Sequence, residues 1–118
     1  MAPRRQKLGS ARELGEGHGA TFRFQRGSST IEGFVARFQG RVVAYENECR
    51  HLPLTLDYGD GQFFSPDQQF FMCRNHGAMF DPRTGLCVRG PCVGASLKPL
   101  PVEVRRGVIW LLGEEPLG

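Results

Sequence analysis

A chain of 118 residues, 40% apolar and 23% charged, fits one small globular domain. Its formal charge of +3 is modest, and the basic residues beyond Arg4, Arg5, Lys7 and Arg12 are scattered singly, without the basic–aromatic stripe of a nucleic-acid reader. No apolar run approaches the ~20 residues of a membrane-spanning helix, so neither nucleic acid nor membrane is an expected partner.

The N-terminus also lacks the apolar core of a signal peptide. Arg4-Arg5 resembles an export signal, but the residues that follow are polar and glycine-rich, so a cytoplasmic protein is expected. In that compartment, four Cys favour metal binding over disulfides. With 16 Gly and 8 Pro, the composition suits short strands and tight turns. The expected fold is all-β.

In chain order, residues 1–9 read as a disordered tail, followed by Ser10-Ala11-Arg12-Glu13, a capping-box pattern that predicts a helical turn over Ala11 to Leu14. Gly15, Gly17 and Gly19 stop it, and His18 in this stretch reads as a solvated loop residue. Alternating Phe22 and Phe24 predict a first strand over Ala20 to Gln25. Ile31 to Phe38 and Arg41 to Glu46 are β-rich runs joined by Gln39-Gly40, a two-residue hairpin turn. Tyr58 to Gly61 and Ser65 to Asp67 read as turns, with Phe63 and Phe64 tucking inward, and Gln69 to Met72 as a strand. Val102 to Arg105 and Val108 to Leu112, joined by Arg106-Gly107, predict a closing hairpin with Trp110 in its last strand. A single domain over residues 10–114 is expected, with a C-terminal tail at 115–118.

Two short boxes carry the chemistry: Cys49-Arg50-His51 and, after 21 intervening residues, Cys73-Arg74-Asn75-His76. Each pairs one thiolate with one imidazole. A [2Fe–2S] cluster has two irons, and in the Rieske variety two Cys serve one iron and two His the other. Each box therefore offers one ligand to each iron. The same Cys₂His₂ set also suits tetrahedral zinc, so a non-redox zinc-binding or regulatory module is a second reading of the donor set. The spacings match neither a plant-type ferredoxin nor a paired CxxC zinc ribbon.

The boxes, continued by Gly77-Ala78-Met79-Phe80-Asp81, Thr84-Gly85 and Gly90-Pro91, resemble the Rieske family. The resemblance implies an antiparallel β sandwich or barrel-like base with a small cluster-binding lobe near residues 47–93. It implies one [2Fe–2S] cluster per chain, with Cys49 and Cys73 on the inner iron and His51 and His76 on the outer. It also implies that Gly90-Pro91 lies across the cluster and that Leu56 is buried. In the high-potential members, a Ser and a Tyr donate hydrogen bonds to the cluster sulfurs, where this chain has Ala78 and Phe80. That difference implies a potential near the low end of the Rieske range, roughly −150 mV. Leu54 and Asn75 stand where the cytochrome-complex type carries an extra Cys in each box.

The function implied is a ferredoxin-like carrier, passing single electrons from a reductase to an oxygenase or similar terminal enzyme. Rieske oxygenases add a mononuclear iron, and with His51 and His76 committed to the cluster only His18 is left, so no catalytic site is expected. A small Rieske subunit of a larger reductase, as in the nitrite reductase family, is the alternative. Arg50 and Arg74 read either as charges that favour reduction or as solvated surface residues. Cys87 and Cys92 flank Gly90-Pro91: a cytosolic location favours two reduced thiols, and a disulfide stapling the loop is the other reading.

Overall fold

The computed structural model describes residues 5–47, 63–73, 77–90, 94–113 and 115–116. Its strands are β1 (Arg5–Ser10), β2 (Gly19–Arg26), β3 (Ser29–Phe38), β4 (Arg41–Glu46), β5 (Phe71–Met72), β6 (Met79–Phe80), β7 (Cys87–Arg89), β8 (Val102–Arg105), β9 (Val108–Leu112) and β10 (Glu115–Pro116). They form three antiparallel sheets, in the orders β1-β9-β8, β10-β2-β3-β4 and β5-β6-β7. The expected all-β architecture is present.

The four-stranded sheet is the centre of the molecule because β3 is apolar on both faces. Strand side chains alternate between faces, and antiparallel register puts Phe34 beside Tyr45 and Val35 beside Ala44. Val35 and Ala44 turn toward the three-stranded sheet of the chain ends, where they join Phe24, Leu100, Ile109 and Leu111 in one buried cluster. Phe34, Ala36 and Tyr45 turn the other way and join Phe63, Phe71, Cys73, Ala78, Phe80 and Cys87 in a second. One sheet thus divides two cores. Gly33 lies against the first: a Cβ there would sit 2.7 Å from the Phe22 ring and 2.9 Å from Leu100.

Both predicted hairpins are present: β8–β9 has the expected bounds, while β3 begins two residues earlier than expected, at Ser29, where it pairs with Arg26. Gln39 (φ 51°) and Gly40 (φ 78°) join β3 to β4, while Arg106 (φ 52°) and Gly107 (φ 77°) join β8 to β9. Positive φ at both turn residues twists the connection to match the strands. The Glu16 carboxylate fastens the first turn, accepting from Gln39 N–H at 2.6 Å and Gly40 N–H at 2.8 Å.

Several expectations are corrected. Residues 5–9 belong to a strand rather than a disordered tail, because β9 offers β1 an open ladder from Arg5↔Leu112 to Ser10↔Val108. At the other end, Glu115–Pro116 pairs with β2 and is strand rather than tail. The helical turn is a 3-10 turn over Ala11–Glu13, and Ser10 makes no side-chain cap. Arg37 holds it instead, donating from Nε to Leu14 O and from a terminal nitrogen to Ala11 O, both at 2.6 Å. The strand expected from Gln69 begins only at Phe71, because Asp67 draws Gln69 N–H into the preceding turn at 3.1 Å.

Candidate metal centre

Of the four expected ligands, Cys73 is the one the structure describes; Cys49, His51 and His76 lie outside the described residues, as do Leu54, Leu56, Pro91, Cys92 and the Tyr58 to Gly61 turn. Among the described residues no three His, Cys, Asp or Glu side chains gather. His18 is exposed in its turn.

Cys73 follows β5, whose pairing with β6 sets Phe71 beside Phe80 and Met72 beside Met79. Its N–H donates to Ala78 O at 2.8 Å, and its carbonyl accepts from Gly77 N–H at 2.7 Å. These two bonds bracket the second box. The Cys73 side chain is fully buried, with Phe71, Phe80 and Cys87 around it in one core. Phe71, Phe80 and Cys87 share the inward face of the small sheet by register. Met72 and Met79, half-buried, lie on the outward face, with Arg89 exposed opposite Met79.

Short strands of two or three residues cannot hold this sheet by their own ladders. The central sheet supplies what they lack. Phe34 stacks on Phe63 at 4.3 Å between centroids and meets Phe71 edge-on at 5.1 Å. Tyr45 packs edge-on against Phe71 at 5.8 Å, and its hydroxyl donates to Pro82 O at 2.8 Å. Burial, aided by the nearby Asp81 carboxylate, pushes the Tyr45 phenol up to about 12. Both effects disfavour the phenolate.

Pro82 lies in a turn knotted by its neighbours. Asp81 O accepts from Gly85 N–H at 2.7 Å, Asp81 Oδ1 from Arg83 N–H at 2.9 Å, and Thr84 Oγ1 from Leu86 N–H at 3.2 Å. Gly85 ends the turn at φ 81°, where a Cβ would stand 2.8 Å from the Tyr45 ring and 3.1 Å from Leu97 O. That explains physically why Thr84-Gly85 follows the second box. Its partner Tyr45 carries no such signal in sequence.

Gly90 presses on the box from the other side. Its φ is 103°, and a Cβ would lie 2.8 Å from Ala78 Cα, the residue whose carbonyl holds Cys73. The setting fits a thiolate-bound cluster. The sulfur is shielded from water, Gly77 supplies the positive φ of the turn after the box, and Gly90 lets main chain approach Ala78 closely. Ala78 and Phe80 are fully buried beside it, and neither side chain has a donor for a sulfide. Cys87 is buried, with its Sγ donating to Arg89 O at 3.3 Å.

A model of the Rieske [2Fe-2S] domain matches residues 4–104. A solved chain from the complex of reduced oxygenase and oxidized ferredoxin in carbazole 1,9a-dioxygenase is 26% identical, with a TM-score of 0.72 and coverage of 99% of this chain and 100% of that one. The ferredoxin of carbazole 1,9a-dioxygenase from Nocardioides aromaticivorans IC177 is also 26% identical, at TM-score 0.71, covering 97% and 99%. The terminal oxygenase of carbazole 1,9a-dioxygenase from Novosphingobium sp. KA1 shares the fold at 21% identity and TM-score 0.77, with 98% of this chain spanning 32% of that one. No curated protein matches.

Proposed function

The chain belongs to the Rieske [2Fe-2S] domain family, and from that premise we propose that it is a diffusible, ferredoxin-like electron carrier of the cytoplasm. It takes single electrons from a reductase and delivers them to an oxygenase or similar terminal enzyme. The observation that carries this reading is the near end-to-end, mutual match to a dioxygenase ferredoxin, 97% of one chain on 99% of the other. No helix among the described residues is long and apolar enough to cross a membrane.

In this reading Cys49 and Cys73 hold one iron and His51 and His76 the other. The bound cluster supplies a reversible one-electron acceptor. The chain's own residues set its properties. The apolar shell of Phe71, Phe80 and Ala78 keeps water from the Cys73 sulfur, and the absence of hydroxyls at 78 and 80 leaves sulfide charge without those two donors. The outward face of the small sheet, with Met72, Met79 and Val88, abuts this site and offers adaptable apolar surface to a transient partner. The carrier has no substrate chemistry of its own.

Reductive titration of the iron-loaded protein by film voltammetry tests this. One electron per chain at a midpoint of roughly −150 mV supports it, whereas a midpoint of roughly +300 mV would place the protein with the high-potential members. A protein that stays colourless and sulfide-free after anaerobic iron reconstitution would be a zinc or non-redox module. Tight co-purification with a large reductase would make it a fixed subunit.

A further inference from the structure

Basic residues from the two ends of the chain meet on the outer face of the three-stranded end sheet. Register sets Lys7, Trp110 and Glu103 abreast, and Ser10, Val108 and Arg105 abreast. Strand alternation then puts Arg5 on the same face as Lys7. The inner face of this sheet gives Ile109 and Leu111 to the first core, which shares no residue with the core beneath Cys73.

Arg5, Arg105 and Arg106 border a single open cleft of about 370 Å³ whose other lining residues are Val108 and Trp110. The Arg5 guanidinium lies over the Trp110 ring at 4.9 Å, a cation–π contact that holds its planar fork in place. Arg105 holds Glu103 through Nε at 2.8 Å, which leaves its terminal nitrogens unengaged by that bond. Arg106 sits at the exposed hairpin tip. Neither Arg5 nor Arg106 has an ion-pair partner among the described residues. Among the described residues, three guanidiniums stand at the cleft beside one carboxylate, an excess of positive charge that an entering anion would relieve.

We propose that this cleft binds a phosphate-bearing anion. The guanidinium fork matches phosphate oxygens bidentately, and the Val108–Trp110 floor supplies apolar surface for an attached organic group. The volume is at the small end of the range of ligand sites, about 300 to 1,000 Å³, and suits one mononucleotide better than a larger cofactor. The proposal does not depend on the cluster, so it stands or falls separately from the electron-carrier reading.

Trp110 is the only tryptophan in the chain and reports directly on the cleft. The iron-loaded protein is titrated at low salt with ADP, inorganic pyrophosphate and adenosine, following Trp110 emission and confirming affinities by calorimetry. ADP and pyrophosphate are expected to bind saturably, and adenosine at least about tenfold more weakly than ADP. ADP tighter than pyrophosphate identifies a nucleotide-type ligand; equal affinities identify an inorganic phosphate. Arg105→Gln with Arg106→Asn should weaken both by at least about tenfold while the visible spectrum stays unchanged. Asn is chosen at 106 because it tolerates positive φ. Absence of saturation with both anions, equal binding of adenosine, or unchanged affinity in the double variant would overturn the proposal.

Discussion

The base and the small sheet around Cys73 are both antiparallel β, yet they are held in opposite ways. In the base, β2 and β3 pair over eight positions, from Gly19↔Ala36 to Arg26↔Ser29, and hairpin turns fix the register. Around Cys73 the strands are two or three residues long, and order comes from side chains that reach across from β3 and β4. The base is a structure in its own right, whereas the lobe is a loop assembly templated on one face of it. Phe34 and Tyr45 thus fix the short strands beside Cys73 from outside the lobe, through their edge-on contacts with Phe71.

The largest test of that contrast pairs two buried phenylalanines. Phe71→Ala, in the lobe core, and Phe24→Ala, in the base core, each remove a fully buried ring and should cost about 3 to 5 kcal/mol. Their consequences should separate. Iron release to a chelator, followed by visible absorbance under native conditions, should be faster in Phe71→Ala than in Phe24→Ala. Equal rates would dissolve the distinction between base and lobe.

A smaller effect is expected at the hinge between them. Tyr45→Phe leaves the buried Pro82 carbonyl without its donor, at a cost of about 1 to 3 kcal/mol. The wild-type phenol titrates near 12 in the fold against 10.0 ordinarily, so the native state holds its proton more tightly than the unfolded state. Its contribution is therefore complete below pH 10 and lost as pH rises toward 12, a fall of roughly 2 to 3 kcal/mol. Denaturant midpoints across that range should drop in the wild type and flatten in Tyr45→Phe. Parallel curves would mean that the phenol does not link stability to pH.

The smallest effect is expected entirely within the base. Glu16→Ala removes the two carboxylate bonds to the Gln39-Gly40 turn, and because the site is exposed the loss should stay below about 1 kcal/mol. Thermal melts should register it while the rate of iron release stays at the wild-type value. A change in that rate would show the turn coupled to the lobe.

The fold is legible in the sequence where one local signal suffices. Two-residue turns with Gly at the second position gave both hairpins, and Phe22 and Phe24 gave β2 by alternation. β1 is not legible because Arg5–Ser10 is largely polar and contains Gly9, with a register shift between Lys7 and Gly9; its partner β9, at the other end of the chain, makes it a strand. β10 was missed because a two-residue strand has no period to read. Around Cys73, the buried positions Ala78 and Phe80 and the close-packed Gly90 are marked in sequence by type and spacing, while Cys49, His51 and His76 lie outside the described residues. The Tyr45–Pro82 bond and the Phe34–Phe63 stack have no such mark, since they join residues distant in sequence whose types are ordinary for a core. Thr84-Gly85 could be noticed, but only the Tyr45 ring against Gly85 gives the reason.

In the proposed function, two Cys and two His hold one [2Fe–2S] cluster in this lobe. Electron paramagnetic resonance of the dithionite-reduced protein addresses this most directly. The wild type should give a Rieske-type spectrum, and His51→Cys and His76→Cys should each lose that character toward an all-Cys signal while retaining iron and sulfide. A spectrum unchanged by either replacement would contradict the assignment, because that histidine would then not be a ligand.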